Sequence, residues 1–221
     1  MSNSLIKKII IVDDHPMMRK GLASTLEMEP GLEISAQLER AEDAIDTIEK
    51  VKPDLIIVDI SLPGMNGIEL VKNLNFQYPD LKVLVVSRHE ESLYAERALR
   101  AGAKGYVMKF ESSDILLKAV RKVLSGGIYV SEEIGEKLLL SAMTGKSTNL
   151  ESPVELLSDR ELEVFELIGR GKSSKEIAEQ LHLAVKTIET YRSRIKEKLD
   201  LKNSTELVFH AVKWVESEGE I

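Results

Sequence analysis

The chain has 221 residues, with 30 Lys and Arg against 37 Asp and Glu for a formal net charge of −7, 43% hydrophobic residues and no cysteine. This length allows one large domain or two modest ones, and the apolar content is that of a globular protein rather than a disordered one. The lack of cysteine excludes disulfides, thiolate metal sites, iron–sulfur clusters and cysteine nucleophiles, and fits a reducing, intracellular setting. Apolar runs reach four residues, as at residues 9–12, against the ~20 that a membrane span needs. Residues 1–8 are polar, without a signal-peptide core. A soluble cytoplasmic protein with no membrane partner is expected. Taken alone, the acidic balance argues against nucleic-acid binding, because affinity for phosphate comes from Lys and Arg.

Residues 1–125 alternate short β-branched runs with helical patterns. Strands are predicted at 8–12, 33–38, 55–58, 82–86 and 105–108, and helices at 16–29, 41–50, 66–76, 91–101 and 112–125. Strict alternation implies a parallel sheet covered on both faces. Runs such as Leu55-Ile56-Ile57-Val58 and Val83-Leu84-Val85-Val86 lack polar alternation, as central strands do. After Gly126-Gly127 the pattern changes. Residues 131–143 read as a further helix with Ser131 as N-cap and Glu132-Glu133 in its first turn. Residues 144–155 read as a linker. Beyond it there is no strand signal, and four helical patterns run over 159–169, 174–181, 185–199 and 204–216. The pair 174–181 and 185–199, joined by His182-Leu183-Ala184, resembles a helix-turn-helix. The expected organisation is an α/β domain over 1–127, a helix and linker over 128–155, and a small all-α four-helix domain over 156–221.

Ligands of an open parallel sheet bind at the carboxyl ends of its strands. Here the first strand ends in Asp13-Asp14, the third in Asp59, the fourth in Ser87 and the fifth in Lys109. With strand order 2-1-3-4-5 these five residues converge on one cleft. Clustered carboxylates repel one another unless a cation sits among them, and an all-oxygen set suits Mg²⁺. A lysine and a hydroxyl alongside supply donors to phosphoryl oxygens. The chemistry this suggests is phosphoryl transfer with a carboxylate as acceptor.

Three segments carry a resemblance: Ile10-Ile11-Val12-Asp13-Asp14-His15-Pro16, Asp54-Leu55-Ile56-Ile57-Val58-Asp59-Ile60-Ser61-Leu62-Pro63-Gly64-Met65-Asn66-Gly67 and Gly102-Ala103-Lys104-Gly105-Tyr106-Val107-Met108-Lys109. Over about residues 5–125 the chain resembles a two-component receiver domain. The resemblance implies a flavodoxin-like, doubly wound five-stranded parallel sheet of order 2-1-3-4-5, with Asp59 as the phosphoacceptor. It implies Mg²⁺ held by Asp14, Asp59 and the Ser61 backbone carbonyl, with Asp13 acting through water. Lys109 would pair with the acyl phosphate and Ser87 would hydrogen-bond it. Tyr106, on the fifth strand, would rotate inward as Ser87 moves toward the phosphate. Arg88 stands where small residues are frequent, and Ser61 and His89 occupy the positions that flank the attacking water in the family. Arg88 and His89 are therefore candidates for altering phosphate access and lifetime.

In the C-terminal part, Ser158 with Glu161 three residues on forms a capping-box pattern. Gly169-Arg170-Gly171-Lys172 ends that helix, and Ser173 or Ser174 caps the next. Val185, Ile188, Tyr191, Ile195 and Leu199 step by three or four and form the expected core face of the second helix of the pair. Residues 186–202 hold six basic and three acidic side chains, and a basic, hydroxyl-rich face suits a major groove. Leu157-Ser158-Asp159-Arg160-Glu161, Gly171-Lys172-Ser173-Ser174-Lys175-Glu176-Ile177-Ala178 and Lys186-Thr187-Ile188-Glu189-Thr190-Tyr191 resemble the LuxR-type helix-turn-helix. Joined to a receiver, this is similar to a NarL/FixJ-type response regulator. The resemblance implies Lys186, Thr187 and Arg194 on phosphates of double-stranded DNA, with Glu189, Thr190 and Ser193 nearest the bases. It assigns the stripe Leu207, Val208, Ala211, Val212 and Val215 to a homodimer on DNA, with packing inside the domain as the alternative for some of these residues.

The expected function is a phosphorylation-controlled transcriptional regulator served by a sensor histidine kinase, not an enzyme by purpose. A Mg²⁺-dependent phosphatase with an aspartyl-phosphate intermediate is the first rival, but such enzymes usually carry an Asp two residues after the nucleophile, where this chain has Ser61. A degenerate, phosphorylation-independent receiver is the second, and the complete set Asp13, Asp14, Asp59, Ser87 and Lys109 speaks against it.

Overall fold

The computed structural model describes residues 6–144 and 153–218. The chain divides into two compact units, Met1–Leu140 and Ser141–Ile221. In the first, five strands and five helices alternate: β1 (Lys7–Val12), α1 (Pro16–Glu27), β2 (Leu32–Leu38), α2 (Glu42–Val51), β3 (Leu55–Val58), α3 (Gly67–Gln77), β4 (Lys82–Ser87), α4 (Glu91–Ala101), β5 (Gly105–Met108) and α5 (Ser113–Leu124). All pairings are parallel, in the order β2-β1-β3-β4-β5. This is the doubly wound sheet expected from the sequence. The predicted ends shift by a residue or two where a side chain caps rather than continues a helix. Asn66 and Ser112 stand outside α3 and α5 as N-caps, accepting from Glu69 N and Ile115 N.

Strands β1 and β3 are buried along both faces, with Ile9, Ile10, Ile11, Val12 and residues 55–58 at or near zero exposure. Strand side chains alternate between faces. Ile9, Ile11, Ile57 and Val86 pack with Leu22 and Leu26 of α1 and Leu116 and Val120 of α5. Ile10, Ile56, Val85 and Tyr106 alternate to the opposite face. Each buried Ile, Leu or Val contributes ~1.5–3 kcal/mol relative to exposure, so the central strands form a stable platform for their polar ends.

The first unit continues past residue 127, the expected domain end. Tyr106 N donates to Tyr129 O and Tyr129 N to Lys104 O, each at 2.9 Å. These bonds cover the open edge of β5, which would otherwise leave its backbone groups unpaired. Gly105 is required there, because a Cβ would lie 2.7 Å from Tyr129 O. Helix α6 (Glu132–Thr144) follows, with Ser131 Oγ accepting from Ile134 N and Ile134 buried. The predicted linker, 144–155, falls largely on residues outside the described ones. Its end, Pro153–Leu156, is a short 3₁₀ turn.

The second unit holds α7 (Asp159–Gly169), α8 (Ser174–Gln180), α9 (Val185–Lys198) and α10 (Ser204–Glu218). Helices α8 and α9 form the helix-turn-helix. His182 takes a left-handed φ of 53° in the turn between them, and Leu183 N closes onto Ala178 O. Capping boxes open α7 (Ser158 with Glu161) and α8 (Ser173 with Glu176). On α9, Ile188 and Ile195 are buried, Tyr191 and Leu199 half-buried, and Val185 exposed. Val185 therefore falls outside the core face that the spacing suggests, because it opens the helix beyond the packed turn.

Helix α10 corrects a second expectation. Leu207 and Ala211 are fully buried. Gly169 of α7 meets α10 so closely that a Cβ would sit 2.3 Å from Ala211 O, and Phe165 packs on Trp214 with ring centroids 5.6 Å apart. Leu207 and Ala211 thus belong to the interior of this unit and do not present a dimer surface. Val208 is exposed, and Val212 and Val215 are half-buried.

Glu161 ties the unit together. Its carboxylate accepts from Ser158 N at 2.8 Å and from Lys198 Nζ of α9 at 2.7 Å. Burial works against its charged form, yet the bonds from Lys198 and Ser158 hold its carboxyl below the ordinary glutamate range. Its stabilisation is therefore complete above the unfolded value of about 4.3 and is lost as pH falls through the lowered folded value. Glu161→Gln is expected to cost this unit about 1–2 kcal/mol at pH 7 and to flatten its acid-induced loss of stability. Urea unfolding followed on Trp214, the single tryptophan, checks both; equal stability of variant and wild type at pH 7 would contradict the assignment.

Candidate functional site

The strand order brings the predicted polar residues to one edge of the sheet. Asp13 and Asp14 follow β1, Asp59 follows β3, Ser87 ends β4 and Lys109 follows β5. The main chain continues the ladder through this edge, with Asp59 N donating to Val12 O and Lys109 N to Ser87 O. The Lys109 side chain is 1% exposed and those of Asp13 and Asp59 are 2% exposed. Lys109 Nζ lies 2.7 Å from Asp13 Oδ2 and 2.7 Å from Asp59 Oδ2. Ile60 N donates to Asp59 Oδ1 at 2.7 Å and His15 N to Asp13 Oδ1 at 2.8 Å.

Two buried atoms of the pocket accept or donate no well-aligned hydrogen bond: Ser87 Oγ, and Asp13 Oδ2 despite its closeness to Lys109. Such groups cost ~1–3 kcal/mol each unless a ligand satisfies them. One ligand atom from each of Asp13, Asp14, His15 and Asp59 lies within 4.8 Å of the others. Three carboxylates against one ammonium suit a hard divalent cation with oxygen donors. The chemistry of this donor set fits Mg²⁺.

The loop after β3 is set by close approach. A Cβ on Gly67 would sit 1.9 Å from Asp59 O, so glycine alone lets α3 begin against the end of β3. Ser61, on this loop, is half-buried, and its Oγ is 2.8 Å from His89 Nε2. The His89 ring packs on Tyr94 with centroids 4.4 Å apart. Tyr106 is buried and turned inward, and its hydroxyl donates to His89 O at 2.8 Å. Arg88 is exposed. The sequence reading gave His15 no role, although its Nδ1 lies 2.6 Å from Asp14 Oδ1. Its place directly after Asp14 was the available signal.

On α9, Lys186, Glu189, Thr190, Ser193 and Arg194 are exposed and Thr187 is half-buried. They share the outer side of the helix, opposite Ile188 and Ile195. Thr190 Oγ1 donates to Lys186 O at 3.0 Å, which leaves its oxygen lone pairs and methyl group outward. Three charges counted over residues 186–202 are engaged within the unit: Lys198 by Glu161, and Glu189 and Arg192 by each other, with Arg192 Nε 4.0 Å from Glu189. Among the described residues no helix is long and apolar enough to cross a membrane.

A parallel α/β unit with an acidic, lysine-bridged pocket, followed by a helix-turn-helix, defines a two-domain signalling regulator. Residues 9–121 match the response regulator receiver domain, and residues 155–211 match the bacterial regulatory proteins of the luxR family. The chain is 34% identical to the transcriptional regulatory protein DegU of Brevibacillus brevis, covering 94% of each chain. It is 36% identical to the oxygen regulatory protein NreC of Staphylococcus haemolyticus, covering 93% of this chain and 97% of that one. RcsB from Salmonella enterica serovar Typhimurium, in a structure bound to the promoter rprA with phosphomimetic BeF₃⁻, is similar with a TM-score of 0.62, 26% identity, and coverage of 93% and 98%. The chain belongs to the NarL/FixJ-type response regulators, in which a receiver domain is joined to a LuxR-type DNA-binding domain.

Proposed function

We propose that Asp59 is the phosphoacceptor of this response regulator and that its phosphorylation controls dimeric binding to promoter DNA. The observation that carries this reading is the Ser87 hydroxyl, buried and without a hydrogen bond beside the Lys109–Asp59 pair. A phosphoryl group on Asp59 would give that hydroxyl an acceptor and Lys109 an anion. A carboxylate oxygen of Asp59 attacks the phosphorus of a phosphohistidine on a sensor kinase. The P–O bond forms as the P–N bond breaks, and the imidazole recovers its electron pair. Asp14, Asp59 and the Ser61 carbonyl would hold Mg²⁺ with Asp13 acting through water, and the ion supplies charge neutralisation on the phosphoryl oxygens. Lys109 binds one phosphoryl oxygen and Ser87 another. Ser61 in place of a second catalytic acid supports slow loss of the phosphoryl group rather than turnover.

Tyr106 and His89 extend the reading outward. Movement of Ser87 toward the phosphoryl group favours the inward Tyr106, whose hydroxyl meets the His89 carbonyl. The His89 ring and Ser61 bridge the route by which water would reach Asp59. In the effector unit, Lys186, Thr187 and Arg194 take phosphates, and Glu189, Thr190 and Ser193 face base edges. The exposed strip of α10 at Val208, flanked by Val212 and Val215, serves the dimer. A DNA-binding regulator of this kind acts in the cytoplasm.

Three outcomes test the reading. Asp59→Asn abolishes label incorporation from a phosphorylated kinase or a small phosphodonor; stoichiometric labelling of the variant excludes Asp59 as acceptor. His89→Ala shortens the phosphoryl half-life by roughly 2–10-fold, the weight of one hydrogen bond of ~0.5–1.5 kcal/mol, and Arg88→Ala separates charge from this bridge. Unchanged decay in both removes them from any such role. Lys186→Ala and Arg194→Ala weaken binding to all sequences and each reduce the salt slope by about one, whereas changes at Thr190 or Ser193 alter base preference by ~1–3 kcal/mol. Sequence-independent losses at Thr190 and Ser193 would overturn the groove assignment.

A further inference from the structure

Arg19 of α1 is a buried cation that none of the roles above uses. Its side chain is 10% exposed. A guanidinium carries five N–H donors and is costly to bury unless they are matched. Arg19 Nη1 donates to the backbone carbonyl of Asp13, and Nη2 lies 2.6 Å from Glu39 Oε1. Glu39 directly follows β2 and is 65% exposed. The preceding residue of that strand, Leu38, accepts from Asp13 N at 3.0 Å. Asp13 is thus held on both its peptide groups, its N–H by the end of β2 and its carbonyl by a guanidinium anchored to the next residue.

The carbonyl of Asp13 belongs to the peptide that joins Asp13 to Asp14. The plane of that peptide fixes ψ of Asp13 and φ of Asp14, and therefore the directions in which both carboxylates leave the chain. Tilting it by a few tens of degrees would turn one acid away from the pocket. Among the described residues, no other hydrogen bond to this carbonyl is found. We propose that Arg19, held by Glu39, is a positioning residue that locks the Asp13–Asp14 peptide so that the two carboxylates converge on one divalent cation with Asp59. The assignment rests on the reading of the pocket as a cation site. Partners of this kind, one bond removed from the ligands, commonly set metal affinity by 10–100-fold.

Mn²⁺ alone is the probe, because it takes the same carboxylate and water ligands and its free form is counted directly by electron paramagnetic resonance. The full chain is titrated without any phosphodonor. Wild type is expected to bind one Mn²⁺ competed by Mg²⁺; if it binds none, the cation reading of the pocket fails and this assignment with it. Arg19→Met keeps the length of the side chain and its apolar packing, and is expected to bind about tenfold more weakly while its metal-free melting temperature stays near wild type. Arg19→Lys, which keeps the charge but spans one partner at a time, should fall between the two. Equal Mn²⁺ affinity for wild type and a folded Arg19→Met overturns the proposal while leaving the cation site intact. If Arg19→Met does not fold, Glu39→Ala decides: its side chain is mostly exposed, an affinity loss of about threefold is expected, and an unchanged affinity overturns the proposal.

Discussion

The Lys109 ammonium, buried between Asp13 and Asp59, is the interaction on which the rest of the receiver edge depends. Three carboxylates at neighbouring strand ends would push β1 and β3 apart or draw in water. One ammonium 2.7 Å from two of them holds the ends of β1, β3 and β5 together across the sheet. It does not balance them, because three acids face one cation. The pocket is therefore an incomplete charge cluster, and that incompleteness leaves room in its charge balance for a divalent cation. Apolar burial in the central strands supplies the stability that such a cluster consumes. Residues 9–12 of β1 and all of β3 are buried, and a platform of this kind can tolerate a few kcal/mol of unmatched polar groups at its edge.

The same constraint reaches the loops. Because Asp59 must sit at the edge with its backbone against α3, residue 67 has no room for a side chain. Because β5 brings Lys109 inward at the end of the sheet, its outer edge needs a partner, and the chain supplies Tyr129 rather than a sixth strand. Tyr106 then has its backbone fixed by Tyr129 and its hydroxyl fixed by His89. A side chain held at both ends by main-chain groups has few intermediate positions.

The parallel sheet was legible because short apolar runs alternate with helical patterns, its order was implied by the family resemblance, and the five pocket residues were legible because each lies at the end of a strand. Pattern fails where a polar side chain chooses a distant partner. Neither the spacing nor the residue type of Arg19 and Glu39 distinguishes them from solvated surface charges. Lys198 read as part of a basic face, yet it is drawn to Glu161, 37 positions away. The α10 stripe shows the complementary limit. An amphipathic period says that Leu207, Val208, Ala211, Val212 and Val215 share one side of a helix, and it cannot tell an intradomain core from a surface between copies. The close approach at Gly169 resolves it, and that contact joins residues 42 positions apart.

Charge on the effector unit follows from the same distinction between totals and placement. Residues 141–221 hold 12 basic and 15 acidic side chains, a net −3, while residues 186–202 are net +3. Three of the four acids of α7 act inward: Glu161 binds Lys198, Glu163 pairs with Arg160 and Glu166 with Arg170. Neutralised within the unit, they project little field outward. At physiological salt the screening length is ~8 Å, so a phosphate against α9 responds to Lys186 and Arg194 far more than to acids beyond that distance. An acidic protein can therefore present a basic reading helix, and its remaining negative charge opposes loose, orientation-independent contact with DNA more than it opposes docking by this one face.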